Sequence, residues 1–369
     1  MSPANPAPPN PGADGAKAPP APKAKKAAKN TQRKRPAAPP AATAASAVAN
    51  VVANPGAVAD LSKRIIANVE NAIVGKRKQL VLSMVAWLSG GHILLEDVPG
   101  VAKTMLARAM AKSLGCKFKR VQCTPDLLPT DVTGTSIFNQ KTAEFEFRAG
   151  PVFTQILLAD EINRATPRTQ ASLLEAMAEG RVTVDGTTHT LEKPFLVVAT
   201  QNPVDHEGTF PLPEAQLDRF LMRFNLGYPS MEEELRMLEM LQFKHPVDRL
   251  QAVAQAEELV QAQQEIRNVH VDPRVRQYLM QIVNQTRVHE DLALGGSPRS
   301  TIALFRCSQA MAAIRGRAYV LPDDVKKIID PVMNHRLILR PESRLRKITT
   351  QSVIDEIVGE IAVPTIQAK

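Results

Sequence analysis

The chain has 369 residues, of which 44% are apolar, so it is long and apolar enough to bury the cores of two domains. It contains no run of about 18 apolar residues and no secretory signal pattern, so we expect neither a membrane span nor secretion. Three cysteines without a C-x-x-C spacing predict reduced thiols in a cytoplasmic protein, and the seven histidines lack metal-ligand spacing.

The positive charge is concentrated in the first 50 residues. This segment has eight Lys and Arg residues against Asp14 alone, a net +7, so the other 319 residues carry only +2 of the total of +9. It also contains eleven prolines and is otherwise mostly alanine and lysine, which is typical of a disordered tail and which we place at residues 1–58. Such a tail either holds nucleic acid or an acidic partner loosely, or serves as a solubilising spacer.

Helices and strands alternate from Leu61 onwards. Apolar residues recur at helical spacing in LSKRIIANVENAI and KRKQLVLSMVAWLSGG, and Gly90 and Gly91 end the second helix. The apolar segments HILLE, FTQILLADE and PFLVVATQNP predict three buried strands, and the helices KTMLARAMAKSLG and RTQASLLEAMAEG lie between them. This alternation is typical of an α/β fold with a parallel sheet that helices cover on both faces, which we assign to residues 59–230.

A loop that fits the phosphate-binding pattern G-x-x-x-x-G-K-[ST] in part follows the first strand. Lys103 and Thr104 open the next helix, and Gly100 lies at the tip of the loop. Backbone N–H groups of such a loop face an anion, the lysine supplies a charge to the β- and γ-phosphates, and the threonine supplies a hydroxyl to Mg²⁺. We therefore predict that ATP and Mg²⁺ bind at Val98, Pro99, Gly100, Val101, Ala102, Lys103, Thr104 and Met105.

Polar residues also follow the second and third predicted strands. Asp160 and Glu161 end one of them and Asn202 the other, and the carboxyl ends of parallel strands line one crevice. We expect Asp160 to hold Mg²⁺ directly or through water, Glu161 to polarise the attacking water, and Asn202 to position that water or the γ-phosphate. An acidic pair after a strand is often only the start of a polar loop, but together with Lys103 and Asn202 it predicts a nucleotide site.

Two glycines of the phosphate-loop pattern are replaced in this chain. Asp97 stands at the first position and Ala102 at the second. Alanine can serve there if its φ angle is negative. We expect Asp97 to point its carboxylate away from the triphosphate, because the two would repel each other.

The series of motifs between about Leu61 and Asp355 resembles that of MoxR-type AAA+ ATPases. The resemblance is carried by LLEDVPGVAKT, TPDLLPTDVTG, LLADEINRATPRTQASLLEAMAEGRVTVDG, FLVVATQNPVDHEGTFPLPEAQLDRF and GGSPRS. It implies an AAA+ P-loop core that hydrolyses ATP to ADP and phosphate with Mg²⁺. The family often has an alanine before the Walker A lysine, whereas Asp97 departs from the family pattern.

The resemblance also implies roles for two arginines. Arg219 corresponds to the arginine finger, which acts on the ATP of a neighbouring subunit and therefore requires a homo-oligomeric ring, a hexamer in this family. Arg223 is the alternative finger, and Arg219 could instead form a salt bridge with Asp218 or Glu214. Arg299 corresponds to sensor 2, which reaches the nucleotide phosphates, although a helix dipole disfavours a cation in the first turn.

Two hairpins are predicted inside the core. TSIFNQKTAEFEFRAGP turns around Asn139 and Gln140, and RVTVDGTTHTLE turns at Asp185 and Gly186. In the family they would be the insert in the second helix and the hairpin before sensor 1. The resemblance suggests that they touch neighbouring subunits or substrate, while ordinary surface hairpins are the alternative.

Helix signals fill the rest of the chain. Asp272 with Pro273, and Ser297 with Pro298, each combine an N-cap residue with a proline at the first helical position. The segment LPDDVKKIID has its acids before its lysines, as the helix dipole favours. We predict a small all-helical lid domain over residues 231–369.

Two classes of function fit these motifs. The first, which the resemblance implies, is a chaperone-like motor that remodels, assembles or activates client proteins, often together with a partner that contains a von Willebrand factor A domain. The second is a nucleic-acid motor that uses the basic tail. The nearly neutral body and an aromatic content of 4% argue against the second class, so we favour the first.

Overall fold

The computed structural model describes residues 55–203, 208–241 and 246–365. The basic segment lies outside these residues, so its disorder stays a prediction. The first helix begins at Pro55, four residues inside the segment that we predicted as tail, and it buries Val58. Nowhere in the described ranges is a helix both long and apolar enough to cross a membrane.

The α/β core begins with two helices and then alternates strands and helices. Its elements are α1 (Pro55–Glu70), α2 (Arg77–Leu88), β1 (Ile93–Glu96), α3 (Lys103–Ser113), β2 (Phe118–Gln122), α4 (Pro129–Thr133), β3 (Gly134–Asn139), β4 (Glu144–Ala149), β5 (Ile156–Asp160), α5 (Pro167–Glu179), β6 (Arg181–Val184), β7 (Thr187–Thr190), β8 (Leu196–Gln201), α6 (Glu214–Leu217) and β9 (Met222–Phe224). A 3₁₀ turn at Ile162–Arg164 follows β5.

The central sheet is parallel and has the strand order β2-β5-β8-β1-β9. Its three middle strands are the three that the sequence predicts. The two outer strands are not among them. β2 has the sequence FKRVQ and buries only Val121, and β9 has three residues, so neither shows the continuous apolar run of a strand covered on both faces.

Alternate residues of the middle strands enter two different apolar clusters. In β1, Ile93 and Leu95 pack into a large cluster with α1, α2, α3 and the lid helices, whereas Leu94 packs into a second cluster with α5. In β5, Leu158 packs into the large cluster and Leu157 into the second one. The sheet is therefore covered on both faces, as predicted, and its carboxyl edge is left for polar residues.

The two hairpins form where the sequence predicts them. β3 pairs with β4 antiparallel and β6 pairs with β7 antiparallel. Asp185 and Gly186 make the second turn, and both have a positive φ, as a two-residue hairpin turn of this type requires.

The lid domain follows β9. Its elements are α7 (Met231–Leu241), α8 (Pro246–Arg249), α9 (Ala256–Glu265), α10 (Pro273–Val288), β10 (Leu292–Leu294), α11 (Pro298–Ile314), α12 (Pro322–Met333), β11 (Ile338–Leu339), α13 (Pro341–Leu345) and α14 (Thr350–Glu360). Asp272 and Ser297 accept N-cap hydrogen bonds at α10 and α11, as predicted. The lid is not entirely helical, because β10 and β11 form a short antiparallel pair.

The three cysteines are free thiols. Burial raises the pKa of Cys116, Cys123 and Cys307 to about 12 in each case. A thiol with so high a pKa stays protonated at neutral pH and is a poor nucleophile, so these cysteines serve in packing.

Candidate nucleotide site

The three predicted strand ends meet at one edge of the sheet. β5, β8 and β1 are neighbours, so the residues that follow them lie side by side. They surround a cleft of about 350 Å³. The cleft is lined by Pro99, Gly100, Ala102, Lys103, Thr104, Met105, Asp160, Glu161 and Asn202.

Two predicted loop residues do not line the cleft. The side chain of Val101 is buried in the apolar cluster that covers one face of the sheet, and Val98 packs against the same cluster. Their contribution to an anion site is therefore limited to their backbone groups. The structure brings the other predicted loop residues together.

The loop before α3 turns with two residues of positive φ. Gly100 has φ of 87° and Ala102 has φ of 64°. The condition that we set for an alanine at this position, a negative φ, is therefore not met. A non-glycine residue in this left-handed region is disfavoured by roughly 1 kcal/mol, and such strain is common at functional sites. It turns the N-terminus of α3 towards the cleft, and the N–H groups of a helix's first turn can bind an anion.

Asp97 turns away from the cleft, as we expected. Its Oδ2 accepts hydrogen bonds from the N–H groups of Leu226 and Gly227, both at 2.7 Å, and its Oδ1 accepts one from Val98 N–H at 2.9 Å. The carboxylate therefore joins the start of the loop to the segment after β9. A glycine could not make this connection, which explains why an acid is tolerated here.

Lys103 and Thr104 face the ends of β1 and β5. The Lys103 ammonium donates a hydrogen bond to the carbonyl oxygen of Asp97. The Thr104 hydroxyl donates to Asp160 Oδ2 at 3.4 Å. These contacts hold both side chains at the mouth of the loop, where a phosphate chain would lie.

Thr104 and Asp160 fit a magnesium ion. A hydroxyl and a carboxylate lie next to each other, and Mg²⁺ typically takes one or two protein oxygens and completes its octahedron with waters and phosphates. Across the described ranges no group of three or more His, Cys, Asp or Glu residues could hold a metal by itself. Arg120 donates to the same Oδ2 at 2.7 and 3.0 Å, and it must turn away when a metal takes this oxygen.

A threonine that the sequence reasoning missed connects the two acids. Thr200 donates to Asp160 Oδ1 at 2.6 Å and accepts from the N–H of Glu161 at 2.8 Å. Glu161 has a positive φ of 57°, and this contact helps to hold it there. The available signal was a hydroxyl at the end of an otherwise apolar strand, LVVATQ.

The carboxylate of Glu161 and the side chain of Asn202 lie in the cleft as predicted. Glu161 Oε2 accepts from Gln122 at 3.1 Å and from Arg164 at 3.2 Å. Asn202 is buried, and its main-chain carbonyl oxygen accepts a hydrogen bond from the side-chain amide of Asn163 at 3.4 Å. Both acids are therefore held by neighbouring side chains, which favours fixed positions around a reacting phosphate.

An apolar pocket adjoins the cleft and was not predicted. It shares Ala102 and Met105 with the cleft. The remaining lining residues are Ala72, Ile73, Val74, Met237, Met240 and Pro246. The sequence signal was weak, because these residues come from the segment after α1, from α7 and from α8.

The two predicted arginines lie outside the cleft. Arg219 is exposed, and its Nη1 donates to the carbonyl oxygen of Leu174 on α5 at 2.6 Å. Arg299 is also exposed, and its Nη1 contacts Asp218 Oδ2 at 3.4 Å. Since Asp218 is the neighbour of Arg219 in the chain, both arginines belong to one patch of surface, which we call the arginine patch.

A buried arginine from the lid holds this patch. The side chain of Arg336 is only 3% exposed, and its Nε contacts Asp218 Oδ1 at 2.7 Å. Its Nη2 donates to the carbonyl oxygen of Phe220 at 2.7 Å, and its Nη1 donates to those of Leu221 and Val332. Asp218 therefore pairs with Arg299 and Arg336, and not with Arg219 as one alternative had it.

Arg223 lies elsewhere. Its Nη1 contacts Glu96 Oε2 at 3.2 Å, and its Nε donates to Asn334 at 3.1 Å. These contacts hold it inside its own subunit, between β1 and the lid. The geometry therefore favours Arg219 over Arg223 as the arginine offered to a neighbour.

The role of Asp97 can be tested by restoring the glycine of the phosphate-loop pattern. We expect Asp97→Gly to lower the free energy of unfolding by roughly 2–4 kcal/mol, because the N–H groups of Leu226 and Gly227 lose a charged acceptor. Urea denaturation followed by circular dichroism measures this change. Asp185→Gly is the matched control, since Asp185 is an exposed turn residue with positive φ, and it should change stability little. Equal stability of Asp97→Gly and the wild type would contradict the structural role.

The α/β core and the lid each match a known protein family. Residues 92–222 match the family described as "ATPase family associated with various cellular activities (AAA)". Residues 284–357 match the AAA lid domain. The order of core and lid is therefore that of an AAA+ ATPase.

Relatives match the chain over most of its length. The "Uncharacterized protein YeaC" of Bacillus subtilis is 50% identical over 82% of this chain and 94% of its own length. "Chaperone MoxR1" of Mycobacterium tuberculosis is 40% identical over 86% of this chain and 87% of its own, and "Protein MoxR" of Paracoccus denitrificans is 32% identical over 81% and 95%.

A solved structure shows the same fold. The crystal structure of a protein from Cytophaga hutchinsonii that is assigned as an ATPase superposes with a TM-score of 0.78 at 38% identity, and it covers 85% of this chain and 97% of that one. The sequence relatives and this structure agree with the order of motifs around the cleft. The chain belongs to the MoxR-type AAA+ ATPases.

Proposed function

We propose that this protein is a Mg²⁺-dependent ATP hydrolase whose complete active site forms between neighbouring copies in a ring. The observation that carries this proposal is the separation of two sets of residues. Lys103, Thr104, Asp160, Glu161 and Asn202 surround the cleft, while the arginine patch is exposed outside it. Each copy then offers a cleft to one neighbour and a patch to the other, as head-to-tail contacts in a closed ring require.

The cleft residues suit binding of the triphosphate. The N–H groups at the start of α3 and the Lys103 ammonium would hold the β- and γ-phosphates. The adjoining apolar pocket, with its two flexible methionines from α7, would receive the base. Magnesium would be held by Thr104 and Asp160, and when bound it neutralises charge that develops on the phosphates.

Hydrolysis needs a group that takes a proton from the attacking water. Glu161 suits this role because its carboxylate lies in the cleft and its backbone is fixed through Thr200. Asn202 would orient the water or the γ-phosphate from the neighbouring strand end. Arg219 and Arg299 of the adjacent copy would supply positive charge to the transition state, as arginine fingers do.

The lid would set the position of the finger. Arg336 joins the end of α12 to Asp218, Phe220 and Leu221, so the segment that carries Arg219 is fixed to the lid of its own subunit. A lid that moves with the nucleotide state would carry the arginine patch with it. This arrangement supports a ring in which neighbours respond to each other, and the family resemblance favours a hexamer.

We further propose that hydrolysis drives the remodelling of client proteins. The hairpin of β3 and β4 exposes two aromatic side chains, Phe138 at 49% and Phe145 at 74%, which pack edge to face with ring centroids 5.3 Å apart. An exposed aromatic pair on a hairpin suits contact with a partner chain. The relative from Mycobacterium tuberculosis carries the name chaperone, which agrees with this class of function.

We also propose a partner protein and a cytoplasmic location for this chain. A partner with a von Willebrand factor A domain is what the family resemblance suggests, and the three free thiols are consistent with a reducing cytoplasm. The alternative of a nucleic-acid motor depends on the basic tail, which lies outside the described residues. Since no feature of the cleft or of the arginine patch favours nucleic acid, the client-remodelling function is preferred.

The assignment of the cleft can be tested with two substitutions. Lys103→Ala should abolish ATP binding because it removes the charge that faces the phosphates, whereas Glu161→Gln should bind ATP and turn over at least about 100-fold more slowly. Binding is measured with a fluorescent ATP analogue and turnover by phosphate release. Glu175→Gln, an exposed acid on α5, is the control and should hydrolyse ATP like the wild type. Normal turnover in Glu161→Gln would remove Glu161 from the mechanism.

The division of the site between copies can be tested by mixing inactive variants. Arg219→Ala should bind ATP normally yet hydrolyse it about 10³-fold or more slowly, and Lys103→Ala should not bind it. In mixed rings some clefts that retain Lys103 meet a neighbour that retains Arg219. Random mixing makes about one quarter of the head-to-tail contacts complete, so activity should return to a comparable fraction of the wild-type rate.

The mixing experiment has a clear negative outcome. If Arg219 acts within its own subunit, or only supports the fold, then no combination of the two variants makes a complete site. Phosphate release from the mixture would then equal that of the separate proteins. A mixture of Lys103→Ala with Glu161→Gln is the control. Both substitutions affect the same cleft, so every cleft in the mixed rings lacks either Lys103 or Glu161, and no activity should return.

A further inference from the structure

A second cavity lies between the α/β core and the lid, at the β9 edge of the sheet. Its volume is about 840 Å³, which lies in the range of roughly 300–1,000 Å³ that is usual for small-molecule sites. Its walls come from α2, β9, α11, α12 and α14. No residue that lines the nucleotide cleft also lines this cavity, so it is a separate site.

The cavity is rich in positive charge. Two acids line it, Glu96 and Asp330. Six cations line it: Arg77 and Lys78 on α2, Arg223 on β9, Arg315 directly after α11, and Lys326 and Lys327 on α12. The excess of cations therefore surrounds the cavity and is not confined to one helix.

The three arginines are already paired with acids. Arg223 contacts Glu96 at 3.2 Å, Arg77 contacts Glu70 at 2.7 Å, and Arg315 contacts Asp324 at 3.1 Å. The lysines differ from them, because among the described residues none of the three forms an ion pair. Lys78, Lys326 and Lys327 are thus the lining cations without an ion pair among the described residues, and the nearby carboxylate of Asp330 offsets part of the charge of Lys78.

The rest of the lining is apolar or amide. Val81, Leu82, Phe224, Met311 and Pro331 supply apolar surface, while Gln79, Asn225, Asn334 and Gln351 supply amide groups. This mixture suits an organic molecule with a partly apolar body and several anionic groups. Flexible lysines on opposite walls would then converge on the anionic part.

We propose that this cavity binds a small molecule with several phosphate groups. Phosphates fit because Arg forks and Lys ammonium groups are their usual partners, and several linked charges can engage α2 and α12 together. A small molecule fits better than an acidic peptide, because the cations surround a concave space on several elements and do not follow an open groove.

Such a ligand would join the core to the lid next to the nucleotide cleft. Arg223 links the cavity to Glu96, the last residue of β1, and Asp97 follows directly as the first residue of the phosphate loop. Asp97 in turn holds the segment after β9 through Leu226 and Gly227. The proposal goes beyond the ATPase function and does not require that this protein hydrolyse ATP.

The binding experiment uses the full chain with Lys103→Ala, so that the nucleotide cleft does not compete. Inorganic tripolyphosphate, ATP and citrate are titrated separately and followed by calorimetry. In this background Lys78, Lys326 and Lys327 are changed together to glutamine. The control changes Lys63, Lys141 and Lys193 to glutamine, which are exposed, lie outside the cavity and remove the same charge. The basic tail is present in every variant, so its own binding of anions cancels.

The proposal predicts that the cavity variant binds tripolyphosphate about tenfold more weakly than the control variant, because it loses three positive charges that face the anion. Citrate should bind more weakly than tripolyphosphate to the control. If the cavity variant binds both ATP and tripolyphosphate more weakly than the control variant, the phosphates of the ligand belong to a nucleotide. If only tripolyphosphate binding is weakened, the ligand is an inorganic phosphate chain. Equal affinities of the two variants would overturn the proposal, and so would a poly-glutamate peptide that binds more tightly than tripolyphosphate and shows the same loss.

Discussion

The contact between Arg336 and Asp218 constrains the rest of the site. A guanidinium that is 3% exposed needs a charged partner, and removing one member of a buried pair typically destabilises a protein by about 3–5 kcal/mol. Burial lowers the pKa of Arg336, and the hydrogen bond to Asp218 raises it again, so the pair holds the charge inside the lid. As long as this pair exists, the segment that begins at Asp218 cannot leave the lid.

Several features follow from that attachment. Arg219 is next to Asp218, and Arg299 contacts the same carboxylate, so both arginines are presented together on the surface. The cleft contains Lys103, Asp160 and Glu161 but neither of these arginines. We propose that the cleft and these arginines are the two parts of one phosphate site, which assembly of several copies completes.

The two replaced glycines of the phosphate loop have different explanations. Asp97 serves a connection that glycine cannot make, since its carboxylate accepts the N–H groups of Leu226 and Gly227. Ala102 instead adopts a positive φ, which an alanine does only at some expense in free energy. The loop thus keeps its shape with one replacement that adds contacts and one that adds strain.

The sequence predicted the parts of the site that depend on the ends of apolar strands. Lys103, Asp160, Glu161 and Asn202 could be found because parallel strands carry their polar ends to one edge. The sequence offered only a weak signal for Thr200, a hydroxyl near the end of β8, because its two hydrogen bonds depend on the register of β5 against β8.

Other features depend on contacts between distant parts of the chain. β2 was missed because its exposed face makes it polar, and the φ of Ala102 is set by the tertiary structure of the loop. The attachment of Arg336 to Asp218 joins residues 118 positions apart, which no local pattern reveals.

We propose that one chain alone lacks a complete active site. The most direct measurement is the ATPase rate per chain over a dilution series, with the mass of the particles determined at each concentration. The rate per chain should fall towards zero as the assembly dissociates into single chains, while ATP should still bind to the cleft that contains Lys103. Single chains that hydrolyse ATP as fast as the assembly would contradict it.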